Sequence, residues 1–396
     1  MTSLMQAFPR TDLIAARGEG AYLWDTGGNR YLDFVAGVAV NALGHCHPAL
    51  VEALTSQAQR LWHASNVFRI PEQESLAQRL VQASFADAVF FNNSGSEAVD
   101  FALKLVRKYF KGTTTPDRWR VITTEGAFHG RTLAAIAAGG QPKLTAGFEP
   151  LVDGFDRVPF DDLAAVALAI GPQTGAIMVE TVQGDGGIRV CSSAYLQGLR
   201  QLANAHGLLL VLDEVQSGMG RTGRLFAHEW AGIAPDILAT AKGLGAGYPL
   251  GAVFSTAAVA ACIVPGSHGS TLGGSPLGMA VGHVVLDILL ADGFLASVER
   301  TGTALHARLV DVVERHPKVF TEVRGLGLML GLRCVPDNRM VMATLRNNGL
   351  LVAGAGENVV RLLPPLTIGD AEIEVAIASL ELACAEMESM PNRRVG

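Results

Sequence analysis

The chain has 396 residues, 49% of them hydrophobic and only 17% charged, which is enough apolar material for two domains or one large domain with a smaller companion. Its formal charge of -6, with no basic cluster, argues against nucleic acid or an anionic membrane as partner and leaves a small molecule as the expected ligand. Five scattered cysteines, Cys46, Cys191, Cys262, Cys334 and Cys384, are odd in number and lack a CxxC pair. They argue against a disulfide framework or a metal site and suit reduced thiols in the cytoplasm. The first residues, "MTSLMQAFPRTD", lack the pattern of a secretion signal, and His283, Asp287 and Asp292 interrupt the longest apolar stretches, so neither export nor anchoring is expected.

In chain order, "AYLWDTGGNRYLDF" (21–34) carries a hairpin signal, with Gly27-Gly28 between two strand-like runs. Short β-rich runs then follow at 88–91, 120–123, 175–180, 208–214, 236–240 and 251–255, separated by helix-like segments. Continuous apolar strands of this kind predict an α/β fold with a mostly parallel sheet covered by helices on both faces. After the first of these strands, Ala98, Phe101, Ala102, Leu105, Val106 and Tyr109 recur at helical spacing, with Lys104, Lys108 and Lys111 largely on another side. Toward the C-terminus, 324–335 and 359–368 read as strands and 369–390 as a helix, which predicts a separate, smaller α/β layer.

Four places carry chemistry. In "FFNNSGSEAVDF", Ser94, Gly95 and Ser96 fall at a helix start, where free amides and hydroxyls hold an anion such as a phosphate; equally, one serine simply caps the helix. Asp213 follows an apolar run and so stands at the C-terminal end of a central strand, where open α/β sheets bind ligands. The adjacent Asp-Glu pair would also suit magnesium in a nucleotide hydrolase, but the chain has no GxxxxGK[ST] loop. In "FHGRT", Phe128 can stack on a flat heterocycle and Arg131 can grip a carboxylate, although singly they read as a core residue and a surface charge. Lys242 alone among six lysines sits between alanines and glycines at a strand end. Lys104, Lys108, Lys111, Lys143 and Lys318 have surface-like contexts. Burial would lower the pKa of Lys242 and free its amine for a Schiff base, while Gly243, Gly245, Gly247 and Gly251 would let the chain pass close to a bound ligand. A ring-nitrogen partner, a stacking group, a phosphate seat and a reactive amine together are what pyridoxal 5'-phosphate demands.

At these residues the sequence resembles the class III pyridoxal-phosphate aminotransferases, most closely their acetylornithine branch. "VAVNALGHCHP", "NNSGSEA", "FHGRT", "LDEVQSGMGRTG", "PDILATAKGLGAGYPLGA", "GSHGSTLGGSPL" and "RLLPPL" follow the family's order. The resemblance implies fold type I, with an N-terminal segment (1–55) associated with the small domain, a large cofactor-binding domain (56–290) with a seven-stranded sheet, and a small C-terminal domain (291–396). It implies that Lys242 condenses with the cofactor aldehyde and then shuttles a proton, that Asp213 keeps the pyridine nitrogen protonated, and that Gln216 binds the ring hydroxyl oxygen. Glu214 and Val215 share that cofactor-binding run, Phe128 stacks on the ring with His129 beside it, and Gly95 and Ser96 hold the phosphate. Thr271 and Ser270 would serve the neighbouring subunit's phosphate and substrate, so a homodimer with shared sites is implied.

Acetylornithine, 2-oxoglutarate and glutamate are the substrates so implied, Arg131 and Arg361 taking their carboxylates. The family's acidic residue that neutralises Arg361 is a glutamate; here Asp185 stands in its place. Thr181 replaces a proline, and Val99-Asp100 replaces an Asn-Glu pair. The other readings are a different ω-aminotransferase (for succinyldiaminopimelate, succinylornithine, ornithine or 4-aminobutyrate), a racemase or aminomutase on the same cofactor, and a binding module. A nicotinamide enzyme is disfavoured because no GxGxxG run follows a strand.

Overall fold

The computed structural model describes residues 3–389. Residues 1 and 2, and with 390–396 the last residue of the expected terminal helix and the end of the expected small domain, lie outside the described residues. The N-terminal strands β1 (Ala15–Glu19), β2 (Tyr22–Asp25) and β3 (Arg30–Asp33) form an antiparallel meander. The Gly27-Gly28 turn between β2 and β3 is closed by Asp25, whose carboxylate accepts from the backbone and side-chain amides of Asn29, both at 2.9 Å.

The central strands are β4 (Ala88–Asn92), β5 (Arg120–Thr124), β6 (Phe155–Val158), β7 (Thr174–Glu180), β10 (Leu209–Asp213), β11 (Ile237–Thr240) and β12 (Gly251–Ser255). They form one sheet in the order β4-β12-β11-β10-β7-β5-β6, with only β12 running against the rest. Every residue of β7, β10, β11 and β12 is buried, as expected for a sheet covered on both faces. The short ribbon β8 (Val182–Gln183) and β9 (Arg189–Val190) follows β7. Helix Gly95–Lys111 lays Ala98, Phe101, Ala102 and Leu105 on the sheet and keeps its lysines outside.

The C-terminal part adds β13 (Phe320–Leu326), β14 (Met329–Cys334), β15 (Leu350–Leu351), β16 (Ala353–Ala355) and β17 (Val359–Leu362). Here the structure corrects the sequence expectation twice. The run 324–335 is not one strand, because Gly327, with a φ of 59°, turns β13 back onto β14. The run 359–368 leaves the sheet after Leu362, where Pro364 and Pro365 have no N–H to offer.

β3 pairs in parallel with β15, and the segment after β3 stays bonded to the tail. The Leu363 amide donates to the Phe34 carbonyl at 2.7 Å, and the Leu366 amide to the Ala42 carbonyl at 2.7 Å. Between those anchors Ala36, Gly37, Val38 and Ala39 all take positive φ, a short left-handed turn. In three non-glycine residues such a turn costs roughly 1–2 kcal/mol each.

Candidate active site

The parallel strands β4, β5, β7, β10 and β11 deliver their chemistry at one edge. The parallel register sets Asp213 of β10 beside Glu180 of β7 and Ala239 of β11, while Ser94 follows β4, Phe128 follows β5 and Lys242 follows β11. Asp213, Glu180, Ser94, Phe128 and Lys242 surround a cavity of about 530 Å³, which also touches Gly95, Ser96, His129, Arg131, Asp185, Val215, Gln216 and Arg361. Val38 and Val40 close one side.

The helix-start serines divide the two roles left open by the sequence. Ser94 is the cap, its Oγ accepting from the Glu97 amide at 3.2 Å, while Glu97 reaches back to the Asn93 amide at 2.6 Å. Gly95 and Ser96 are thereby left at the cavity with first-turn amides that no intrahelical carbonyl can accept. A Cβ on Gly95 would come within 2.6 Å of Val215 Cγ1, so the cradle depends on glycine there. The glycines around Lys242 do a different job from the one the sequence suggested. A Cβ on Gly245 would meet the Tyr248 carbonyl at 2.0 Å and one on Gly251 the Asn92 side chain at 2.2 Å, so these two make room for protein atoms; among the four only Gly247 touches the cavity.

Asp213 is buried, with one carboxylate oxygen accepting from the Val215 amide at 3.0 Å and the other 2.8 Å from His129 Nδ1. Burial alone would lower the pKa of His129, but the hydrogen bond and charge of Asp213, helped by Glu180, outweigh it, so the imidazole holds its proton more tightly than usual. Glu180, also buried, accepts from the Phe128 amide at 2.8 Å and fixes the aromatic ring's backbone. Burial, reinforced by Asp213 and opposed by His129, lifts its carboxyl pKa to about 7. Lys242 Nζ is driven the other way. Burial first, then the Arg361 guanidinium, bring it from 10.5 to about 8, against the pull of Asp213, Glu180 and Asp185.

Two arginines face the cavity with donors to spare. Arg131 forms no ion pair among the described residues, and its guanidinium lies 5.5 Å from the centroid of the Phe128 ring. Arg361 is buried on β17, and its side chain makes no hydrogen bond among the described residues and leaves Nε unpartnered. Its single ion-pair partner is Asp185, at 3.9 Å. The buried Gln216 Oε1 is likewise unpartnered.

Residues 6–384 match the profile of the family Aminotransferase class-III. The chain belongs to that family. Within the class III aminotransferases it is 53% identical to acetylornithine aminotransferase 1 of Bradyrhizobium diazoefficiens, over 99% of this chain and 96% of that protein. Among solved structures it matches N-acetylornithine aminotransferase of Stenotrophomonas maltophilia at a TM-score of 0.84, with 38% identity and 96% and 97% of the two chains covered. It matches ornithine aminotransferase of Toxoplasma gondii at a TM-score of 0.94, with 33% identity and 98% and 93% covered. The fold is that of the fold type I pyridoxal-phosphate transferases, a large α/β domain with a smaller one.

The donor set fits this class III cofactor, pyridoxal phosphate. The open amides and glycine cradle at Gly95 suit a phosphate, Gln216 lines the same cavity with its buried Oε1 unpartnered, and a lysine of lowered pKa shares that cavity with a buried aspartate. Three expected site residues lie elsewhere. Glu214 turns away from the cavity because a fully buried carboxylate needs donors, and it finds them in the amides of Ala227 and His228 and in His228 Nδ1, at 2.5 to 2.9 Å. Ser270 accepts from Asn93 Nδ2 and the Gly273 amide, and Thr271 is exposed; neither borders the cavity of its own chain. Sequence reasoning missed Glu180 as a cavity residue, although it ends an apolar strand just as Asp213 does. Thr181, where the family pattern has proline, meets Ser217 Oγ at 2.8 Å.

Proposed function

We propose that this chain transfers the δ-amino group of N-acetylornithine to 2-oxoglutarate, giving glutamate, as a cytoplasmic homodimer that uses pyridoxal phosphate. The substrate choice rests on the 53% identity, over nearly the whole chain, to a protein named acetylornithine aminotransferase, together with a lysine of lowered pKa that lines the same cavity as Arg131 and Arg361. The dimer is supported by Ser270 and Thr271, which lie outside their own chain's cavity. The location is supported by five free cysteines.

Pyridoxal phosphate supplies, when bound, the electron sink and amino-group carrier that no side chain can provide. Gly95 and Ser96 would hold the phosphate, Phe128 would lie against the ring, Gln216 would serve the ring oxygen, and Asp213 would hold a proton at the ring nitrogen. His129 and the Val215 amide orient that carboxylate. Lys242, with its pKa near 8, has about one amine in ten neutral at pH 7 and can therefore attack a carbonyl and move a proton at the substrate carbon. Arg131 orients the distal carboxylate of the amine donor, and Arg361 the α-carboxylate of glutamate, a pairing that offsets the cost of a buried guanidinium.

The test is a set of half-reactions in which bleaching of the holoenzyme's visible band is followed with acetylornithine, ornithine, succinylornithine and 4-aminobutyrate. Acetylornithine should bleach it fastest; faster bleaching by any other donor overturns the substrate assignment. Ornithine is the second reading, favoured by the close backbone match to the Toxoplasma enzyme.

A further inference from the structure

Asp185 lies in the loop between β8 and β9 and is contested by two cations. One carboxylate oxygen is 2.9 Å from Lys143 Nζ, a hydrogen-bonded ion pair; the other is 3.9 Å from Arg361 Nη2, too far for a hydrogen bond. The loop is anchored at this residue, the Asp185 carbonyl accepting from the Gly356 amide at 2.8 Å. Lys143 starts from an equally fixed base, since the neighbouring Gln141 side chain donates to the carbonyls of Gly126 and Ala127 at 3.3 and 2.8 Å. The Lys143 side chain itself is 59% exposed, whereas the Arg361 side chain is buried without a hydrogen bond among the described residues. The pairing also shows in the acid. Burial would raise the Asp185 pKa, but Lys143 first and Arg361 second hold it below the usual carboxylate range.

We propose that Lys143 is a specificity-determining positioning residue that draws Asp185 away from Arg361 and so keeps the arginine open to the second carboxylate of a dicarboxylate substrate. The idea rests on the functional reading above in taking Arg361 as the glutamate-binding arginine. With Lys143 in place, the resting site favours glutamate and 2-oxoglutarate. When Lys143 is removed, the nearest cation left to Asp185 is Arg361, and closing the 3.9 Å gap masks that arginine against dicarboxylates. An aspartate is short enough for this competition to matter, because its reach to Arg361 depends on which way a two-bond side chain is held.

The experiment measures calorimetric binding of glutarate, an unreactive dicarboxylate, to the holoenzyme and its Lys143→Ala, Lys143→Arg, Asp185→Asn and doubly substituted forms, alongside steady-state kinetics. Lys143→Ala should weaken glutarate about two- to fivefold, the size expected of a half-exposed ion pair. KM for 2-oxoglutarate should rise by a similar factor with kcat little changed, and Lys143→Arg should restore both. In the Asp185→Asn background Lys143→Ala should have no further effect, because its route is gone. An equal loss in both backgrounds would mean that Lys143 acts on the ligand directly, and no loss in either would mean that it does not act; each result overturns the proposal. Inactivity toward acetylornithine with the glutarate pattern intact would instead sink only the substrate assignment.

Discussion

In the cofactor-free protein Lys242 should titrate near pH 8, because its ammonium form is disfavoured by burial and by Arg361 more than it is favoured by Asp213, Glu180 and Asp185. The fall from 10.5 to about 8 corresponds to about 3 kcal/mol and makes the neutral amine about 300-fold more abundant at pH 7 than in an ordinary lysine. Brief reductive methylation across a pH series, quantified by mass spectrometry of the peptide containing Lys242, reads that fraction directly. The same shift has a sign in stability. Between pH 8 and 10.5 the unfolded chain holds a proton on Lys242 that the native chain has released, so apo-protein stability should rise with pH in that window and the full cost should be present below pH 8. Lys242→Met removes that cost, so in denaturant titrations the variant should exceed the parent by up to about 3 kcal/mol at pH 7, and the gap should close by pH 10.5. A labelling midpoint near 10.4, or a stability gap independent of pH, would refute the account of the buried amine.

Gly95→Ala drives a methyl group to 2.6 Å from Val215 Cγ1, so pyridoxal phosphate affinity, measured by fluorescence titration of the apo-protein, should fall about tenfold or more while Lys242 labelling is unchanged. His129→Ala leaves one Asp213 oxygen buried without a donor. Thermal or denaturant unfolding should show about 1–3 kcal/mol of lost stability, and unchanged stability would count against this hydrogen bond. Asp185→Glu lengthens the acid enough to close the 3.9 Å gap to Arg361, so KM for glutamate should rise roughly tenfold relative to acetylornithine; equal half-reaction rates before and after would reject a gating role.

The strand ends were legible because an apolar run followed by one polar residue is visible in a single sequence. Asp213 and Lys242 announce themselves in that way, and the Gly27-Gly28 hairpin is local. What escaped depends on neighbours distant in the chain. Glu180 becomes a site residue only through the parallel register that sets it beside Asp213. Lys143, with an ordinary surface-like context, meets Asp185 from 42 residues away. The edge strand β6, "FDRV", carries no apolar run because only one of its residues is buried. Glu214, one residue beyond Asp213, shows the converse: adjacency in sequence did not make it a neighbour of the cavity, since its charge was already satisfied by His228 and two amides.

The bonds from Phe34 and Ala42 to the tail have a further consequence. Val38 and Val40, which shape the space offered to a substrate, lie between bonds to Leu363 and Leu366, just beyond the strand that carries Arg361, whereas the lysine and the phosphate seat belong to the large sheet. The distance between apolar wall and carboxylate anchor is therefore set inside one hydrogen-bonded unit, like the jaws of a calliper. Reaction chemistry is built into the other, so the size of molecule accepted can be retuned at Val38 and Val40 while Asn41 and Ala42, which pack against Gly247 and Gly243 beside the lysine, stay as they are.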